Sequence, residues 1–188
     1  PYAVQPTYWP GLQGVECFVT AYNRDMLIGL GLTDLHEYYE NKTWTWDTFK
    51  SVLDAASPVI PEGDILFSGR PHYLMNTLFY SNGFDYVDII DGVPHFNLYS
   101  EDAIHAVEFY QSLQQYGNQI EYLDSHWDND TFIEGKCLMA MAMAQKVIVG
   151  DIAYGASFNY NIMPFPCGPD VEYGRWAQSV CRIYGLAV

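Results

Sequence analysis

Apolar and polar positions along the chain mark out alternating strands and helices. Val15–Tyr22 (VECFVTAY) reads as a strand, and Asn23 then caps a short helix, RDMLIGL, closed by Gly29 or Gly31. Thr33 or Asp34 caps a second short helix carrying Leu35, Tyr38 and Tyr39. A helix over about Trp46–Ala56 is followed by a Pro58/Pro61/Gly63 turn and a short strand, Ile65–Ser68. Pro71 suits the first position of a helix ending at Ser81–Gly83, and Asp91-Gly92 joins Tyr86–Ile90 to Val93–Leu98 as a hairpin. In Glu101–Tyr116, capped by Ser100, the residues Ala103, Ala106, Val107, Tyr110 and Leu113 share one helical face. A short helix at Thr131–Ile133 precedes Leu138–Ala144, where Met and Ala alternate with a two-residue period, and a further helix runs to about Ala153. Tyr160–Phe165 and roughly Ser179–Ala187 are the last expected strands. This succession predicts an α/β domain rather than a bundle or a sandwich.

The stretch NKTWTWDTFK (Asn41–Lys50) places two tryptophans around one threonine, as a sugar clamp or a helix start would. Local chemistry favours the helix start. Thr45 is the expected N-cap, Asp47 faces the positive helix end, and Trp46 and Phe49 share an inward face. Thr48 stands where an acid would complete a capping box, and Trp44 is placed to staple onto the first turn.

Composition narrows the classes. With 188 residues, 49% hydrophobic and 16% charged, the chain can bury one domain's core. Its 23 acidic against 8 basic residues give a net charge of −15, which disfavours nucleic acid and anionic membrane surfaces as partners. No apolar run approaches the roughly 20 residues of a membrane span, and the N-terminal residues lack the pattern of a signal peptide. The chain starts without methionine and stops in the apolar YGLAV, so an excised part of a longer protein is expected.

Candidate chemistry is sparse. Cys17, Cys137, Cys167 and Cys181 lack CxxC spacing and read as buried free thiols, although three disulfide pairings are possible. Met139, Met141 and Met143 would share a strand face as core rather than as a soft-metal set. Asp124–Gly135 (DSHWDNDTFIEG) is acid-rich without the spacing of a calcium loop. No GxSxG, HExxH, GxxxxGK[ST] or GxGxxG occurs, so no catalytic residue, metal or cofactor is expected.

Several segments do combine into a pattern. AYNRDMLIGLGLTDLHEYYENKTWTWDTF, then FYSNGF, SEDAIHAVEFYQSL, DTFIEGKCLMAM and NYNIMPFPCGP follow in order over about residues 12–188. This series resembles the extracellular solute-binding proteins of bacterial ABC importers, in their sugar-binding, maltose-binding-protein-like family. The resemblance implies a periplasmic-binding-protein-like type II fold, in which two α/β lobes joined by hinge strands close on a ligand. Residues 15–188 would form the second lobe, a three-layer α/β/α unit, with 1–14 a hinge-proximal segment and the first lobe missing.

The resemblance also implies site residues. A family glutamate that contacts sugar, seven residues before the YN asparagine, matches Glu16, which could equally be an exposed strand residue. A cleft tyrosine ten residues before the NG glycine matches Tyr73, with core packing as the alternative. Arg70 and His72 stand at the same helix start, where a carboxylate or phosphate could also be held. A stacking tryptophan common in the family is replaced near Gln145, which can hydrogen-bond but cannot stack. Trp127, Trp176 or Tyr154 are the possible substitutes.

The function so implied is non-enzymatic: a monomeric, extracellular or periplasmic, lipid-anchored component that captures an oligosaccharide and delivers it to ABC permease transmembrane subunits. The alternatives are a glycan-active enzyme or carbohydrate-binding accessory module, and a same-fold binder of peptides or anionic solutes. The last is favoured if Arg70 faces the cleft.

Overall fold

The computed structural model describes residues 18–124 and 129–174, together with the backbone of 3–4 and 184–185. Strands β2 (Phe18–Asn23), β3 (Ile65–Gly69), β6 (Ile120–Tyr122), β7 (Cys137–Met143) and β8 (Tyr160–Met163) form one sheet in the order β6-β3-β7-β2-β8. Within this sheet β2 runs antiparallel to both of its neighbours, while β3 is parallel to β6 and β7. β1 (Ala3–Val4) pairs separately with β9 (Tyr184–Gly185), and β4 (Val87–Ile90) with β5 (Val93–Phe96).

The sheet is buried on both faces, which is why β2 and β7 are almost wholly apolar or small. On β7 the side chains divide between two cores. Met139 and Met141 join the larger core beneath α3 (Trp46–Ala56), α4 (Pro71–Ser81) and α5 (Glu101–Ser112). Ala140 and Ala142 face the smaller core with Phe132, Val147 and Ile152 from α6 (Asp130–Ile133), α7 (Ala144–Val149) and α8 (Asp151–Gly155). Three layers result, with the methionines filling the side that carries bulkier aromatic neighbours.

Local chemistry sets the boundaries. Asn23 accepts from Met26 N at 2.9 Å to start α1 (Arg24–Gly29), and Asp34 accepts from His36 N to start α2 (Leu35–Glu40). Thr45 caps α3, and Trp44, one residue earlier, meets Phe49 edge-on at 6.0 Å, which is a hydrophobic staple. Trp44 is fully buried and donates Nε1 to Pro164 O at 2.9 Å, while Trp46 donates to Ser81 Oγ at 3.1 Å and stacks on Phe109. Neither ring is a sugar clamp. Asp91 and Gly92, with φ of 52° and 79°, make the expected tight hairpin turn.

Three expectations are corrected. The α-helix from Glu101 ends at Ser112, and the last turn before the expected stop is wound as 3₁₀ from Leu113, broken at Gly117 (φ 54°, ψ −125°) where the sequence placed the helix end. Ser112 bonds back to Phe109 O, and the tighter winding aligns Leu113 and Tyr116, three apart, so that both are buried. The helix expected to run to Ala153 is split by Gly150, where a side chain would strike the Lys146 backbone. The strand after Tyr160 ends at Met163, because Pro164 has no N–H to give the ladder. β6, three residues long, was not anticipated. Most of Ser179–Ala187 lies outside the described residues. Cys137 and Cys167 are buried free thiols, both pushed up by burial and so held in the unreactive form; Cys17 and Cys181 lie outside the described residues.

The segment after β8 is clasped to the helical layer. Asn82 donates to Asp170 Oδ2 at 2.6 Å and accepts from Asp170 N, and His105 Nδ1 lies 2.7 Å from the same carboxylate oxygen. Gly168 backs onto Asn82 so closely that any side chain there would collide with it. The hydrogen bond to Asp170, followed by its charge, raises the pKa of His105 above the usual histidine range. A raised folded-state value means the pair stabilises the fold at low pH and ceases to do so as pH rises through that value. NMR titration should therefore show His105 losing its proton at higher pH than an unpaired histidine, with Asp170→Asn returning it to the ordinary range.

Truncating Trp44 removes both a buried ring and the only polar tie described for its indole. Trp44→Ala is expected to cost about 3–5 kcal/mol in chemical denaturation.

Candidate functional site

Because β2 alone is reversed, its first residue lies at the same sheet edge as the last residues of β3, β6 and β7. The register makes this explicit: Phe18 pairs with Met143, and Gly69 at the end of β3 pairs with Tyr122 at the end of β6. In open α/β sheets ligands bind beyond the carboxyl ends of the parallel strands, where loops converge and no further strand residue competes for space. Here that edge carries a small depression, partly open to solvent.

Its walls come from six places in the chain. Phe18 opens β2, Arg70 follows β3 and Leu123 follows β6. Met141 and Met143 end β7, Lys146 stands in α7, and Asn129 precedes α6. Arg70 is only 8% exposed and Asn129 only 3%. The Asn129 Nδ2 is buried without a hydrogen-bond partner. Lys146 Nζ lies 2.8 Å from Asp151 Oδ2. At Gly69 a side chain would press on the Phe67 ring at 3.2 Å and on Met141, so the backbone must stay bare for this wall to close.

Tyr73, in the first turn of α4, is half-buried, with its ring 4.7 Å from Phe18 and 4.1 Å from His72. Phe18 is 4% exposed and belongs to the core, with Tyr73 packed against it, so Tyr73 carries the open part of this ring pair. Arg70 lines the depression; Tyr73 borders it through Phe18, with His72 beside Tyr73; Gln145 is exposed at the same edge, beside Lys146, without entering the lining. Tyr154, a possible stacking substitute, is 83% exposed. Glu16, Trp127 and Trp176 lie outside the described residues.

Phe18, Leu123, Asn129 and Lys146 were not singled out from sequence, and Met141 and Met143 were read only as core. The signal that would have found them is the carboxyl-edge rule, which needs the strand order and therefore β6. A second depression, larger and more open, lies between Arg24, Asp34, His36, Glu37 and Glu40 at the opposite edge. There Asp34 is already engaged, accepting from Tyr22 Oη at 2.5 Å and from Arg24 Nε at 2.6 Å. Among the described residues no group of three His, Cys, Asp or Glu side chains is placed to hold a metal ion.

No family model and no curated protein sequence matches the chain. Solved structures do match its fold. The GacH receptor of Streptomyces glaucescens, solved unliganded and with acarbose, aligns at a TM-score of 0.62 and 19% identity over 95% of this chain and 41% of its own. The galacto-N-biose/lacto-N-biose I-binding protein of a Bifidobacterium longum ABC transporter, in complex with lacto-N-biose, gives 0.60 and 18% over 89% and 38%. UgpB from Mycobacterium tuberculosis, in complex with glycerophosphocholine, gives 0.60 and 19% over 82% and 38%. The fold is that of type II periplasmic-binding-protein-like solute-binding proteins. The chain spans about two fifths of the length of these proteins.

Proposed function

We propose that the chain is the second lobe of the substrate-binding component of an ABC importer, which captures a carbohydrate between two lobes and delivers it to the permease. The observation that carries this reading is the depression at the carboxyl edge of the sheet, bordered by the Phe18–Tyr73 ring pair, in a fold shared with saccharide-bound binding proteins. A tyrosine ring at a cleft gives a pyranose an apolar face to stack on, and polar groups beside it orient the hydroxyls.

In this reading Tyr73, His72, Arg70 and Gln145 supply half the site, with Glu16, Trp127 and Trp176 as further contacts. Residues 1–14 lie next to the hinge. The antiparallel pair Ala3–Val4 with Tyr184–Gly185 supports that assignment, because it sets two distant parts of the chain side by side as paired crossings to another lobe would be. The protein acts as a monomer outside the cytoplasmic membrane, held by an anchor beyond these residues. Among the described residues no helix is long and apolar enough to cross a membrane. No bond is broken; closure on the ligand is what the permease senses.

Calorimetry with maltose, cellobiose and galactobiose tests the reading. The full-length protein should bind one of these or a longer homologue at micromolar Kd or tighter, whereas the 188-residue chain alone should show no measurable affinity. Release of reducing sugar by the full-length protein would instead identify a glycan-active enzyme.

A further inference from the structure

The hairpin of β4 and β5 belongs to neither core, and all four residues of each strand are exposed. Its register sets Val87 opposite Phe96 and Ile89 opposite Pro94. Residues directly opposite, and residues two apart on one strand, share a face. One face of the hairpin is therefore wholly apolar, with Ile89 67% and Phe96 63% exposed. Ile90 and Val93 add apolar surface near the tip, and Leu98 and Tyr99 continue it past the base. A contiguous apolar face left in water is unfavourable, and on soluble proteins such faces mark sites of interaction.

The hairpin is also held in one shape. Tyr86, at its base, sits edge-on to Phe79 and Phe84 and donates Oη to Asn76 Oδ1 at 2.6 Å. Asn97 closes the base from the other strand, donating N to Tyr86 O and Nδ2 to Asp85 O, each at 3.1 Å. The Asp91-Gly92 turn fixes the tip. A two-stranded hairpin is marginal by itself, so this anchoring is what presents the apolar face ready-formed. A face ordered in advance loses less conformational entropy when it is covered.

Charge decides what can cover it. Asp85 stands at the base, Asp88 on the reverse face and Asp91 at the tip, while Glu101 and Asp102 open α5 a few residues on. Between Arg70 and Lys136 the sequence holds no lysine or arginine. A second copy would bring these same acids to the same face, within a chain of net charge −15, and an anionic lipid surface would be repelled likewise. The complement is a protein surface that is apolar at its centre and basic at its rim.

We propose that the apolar face of the β4–β5 hairpin is a docking surface for a second protein, whose contact patch is apolar and bordered by lysine or arginine. The surface is separate from the ligand depression, and its use does not depend on which solute is captured.

Photo-crosslinking tests this, with benzoylphenylalanine replacing Phe96 in the full-length protein inside the cells that produce it, and the joined segment sequenced by mass spectrometry. The joined segment should belong to another protein and should combine apolar residues with lysine or arginine. Ile89→Asp should lower the yield about tenfold or more, as should the charge reversal Asp85→Lys with Asp88→Lys. Both variants alter exposed side chains, so the melting temperature and solute affinity should stay unchanged. The same label replacing Val59, exposed outside the hairpin, should give no such product. Joining to a second copy, to lipid, to another part of the same chain or to an acidic segment would overturn the proposal. So would a yield indifferent to both variants, or no product at all.

Discussion

The pairing of β2 with β7 is the constraint on which the site depends. Phe18 opposes Met143 and Tyr22 opposes Met139, so the start of one strand is held against the end of the other. A slip of one residue would turn the buried side chains of β2 to the wrong core. It would also lift Phe18 away from Tyr73 and open the wall formed with Met141 and Met143. The register is secured from both sides, because β8 pairs with the opposite edge of β2 and Asn23 is anchored at the end of the strand as the cap of α1. Arg70 reaches the same edge because β3 is parallel to β7 and its chain leaves the sheet there. A reversed strand inside a parallel frame thus brings together residues that are as many as 128 positions apart, Phe18 and Lys146, in one depression.

Charge is distributed to the same end. The acidic excess is spread over the exterior, where solvent and salt screen it. The clasp of Asn82, Asp170 and His105 uses one of those acids to tie the segment after β8 to α4 and α5, far along the chain from the strands it steadies. At the carboxyl edge Arg70 and Lys146 are set among methionine and phenylalanine, with Asp151 against Lys146. Methionine suits this wall, since a flexible, polarisable side chain can follow the shape of whatever is bound.

Features decided by neighbours in the chain were legible in the sequence. Asn23, Asp34 and Thr45 as caps, Pro71 at a helix start and Asp91-Gly92 as a turn each act within four residues, and each stands where the local pattern placed it. Trp44 and Trp46 were correctly read as structural on the same grounds. β6 was not legible, because three residues carry no period and its existence depends on pairing with β3, some fifty residues away. The 3₁₀ winding after Ser112 and the break in the helix from Ala144 were missed because packing around Tyr116 and the tight backbone at Gly150 decide them. The site divides in the same way. Arg70 and Tyr73 lay within a recognisable segment, whereas Asn129, Met141 and Lys146 become site residues only through the strand order.

The central claim is that the carboxyl edge of this sheet is the ligand face. Hydrogen–deuterium exchange on the full-length protein, with and without a saturating saccharide found by calorimetry, reads this most directly. Ligand should slow exchange at the amides of Phe18, His72–Leu74 and Gln145–Val147, and leave Arg24–Leu27 and Ile65 at the other edge unchanged. Protection confined to Arg24, His36 and the rest of the opposite depression, with the carboxyl edge unaffected, would contradict the account.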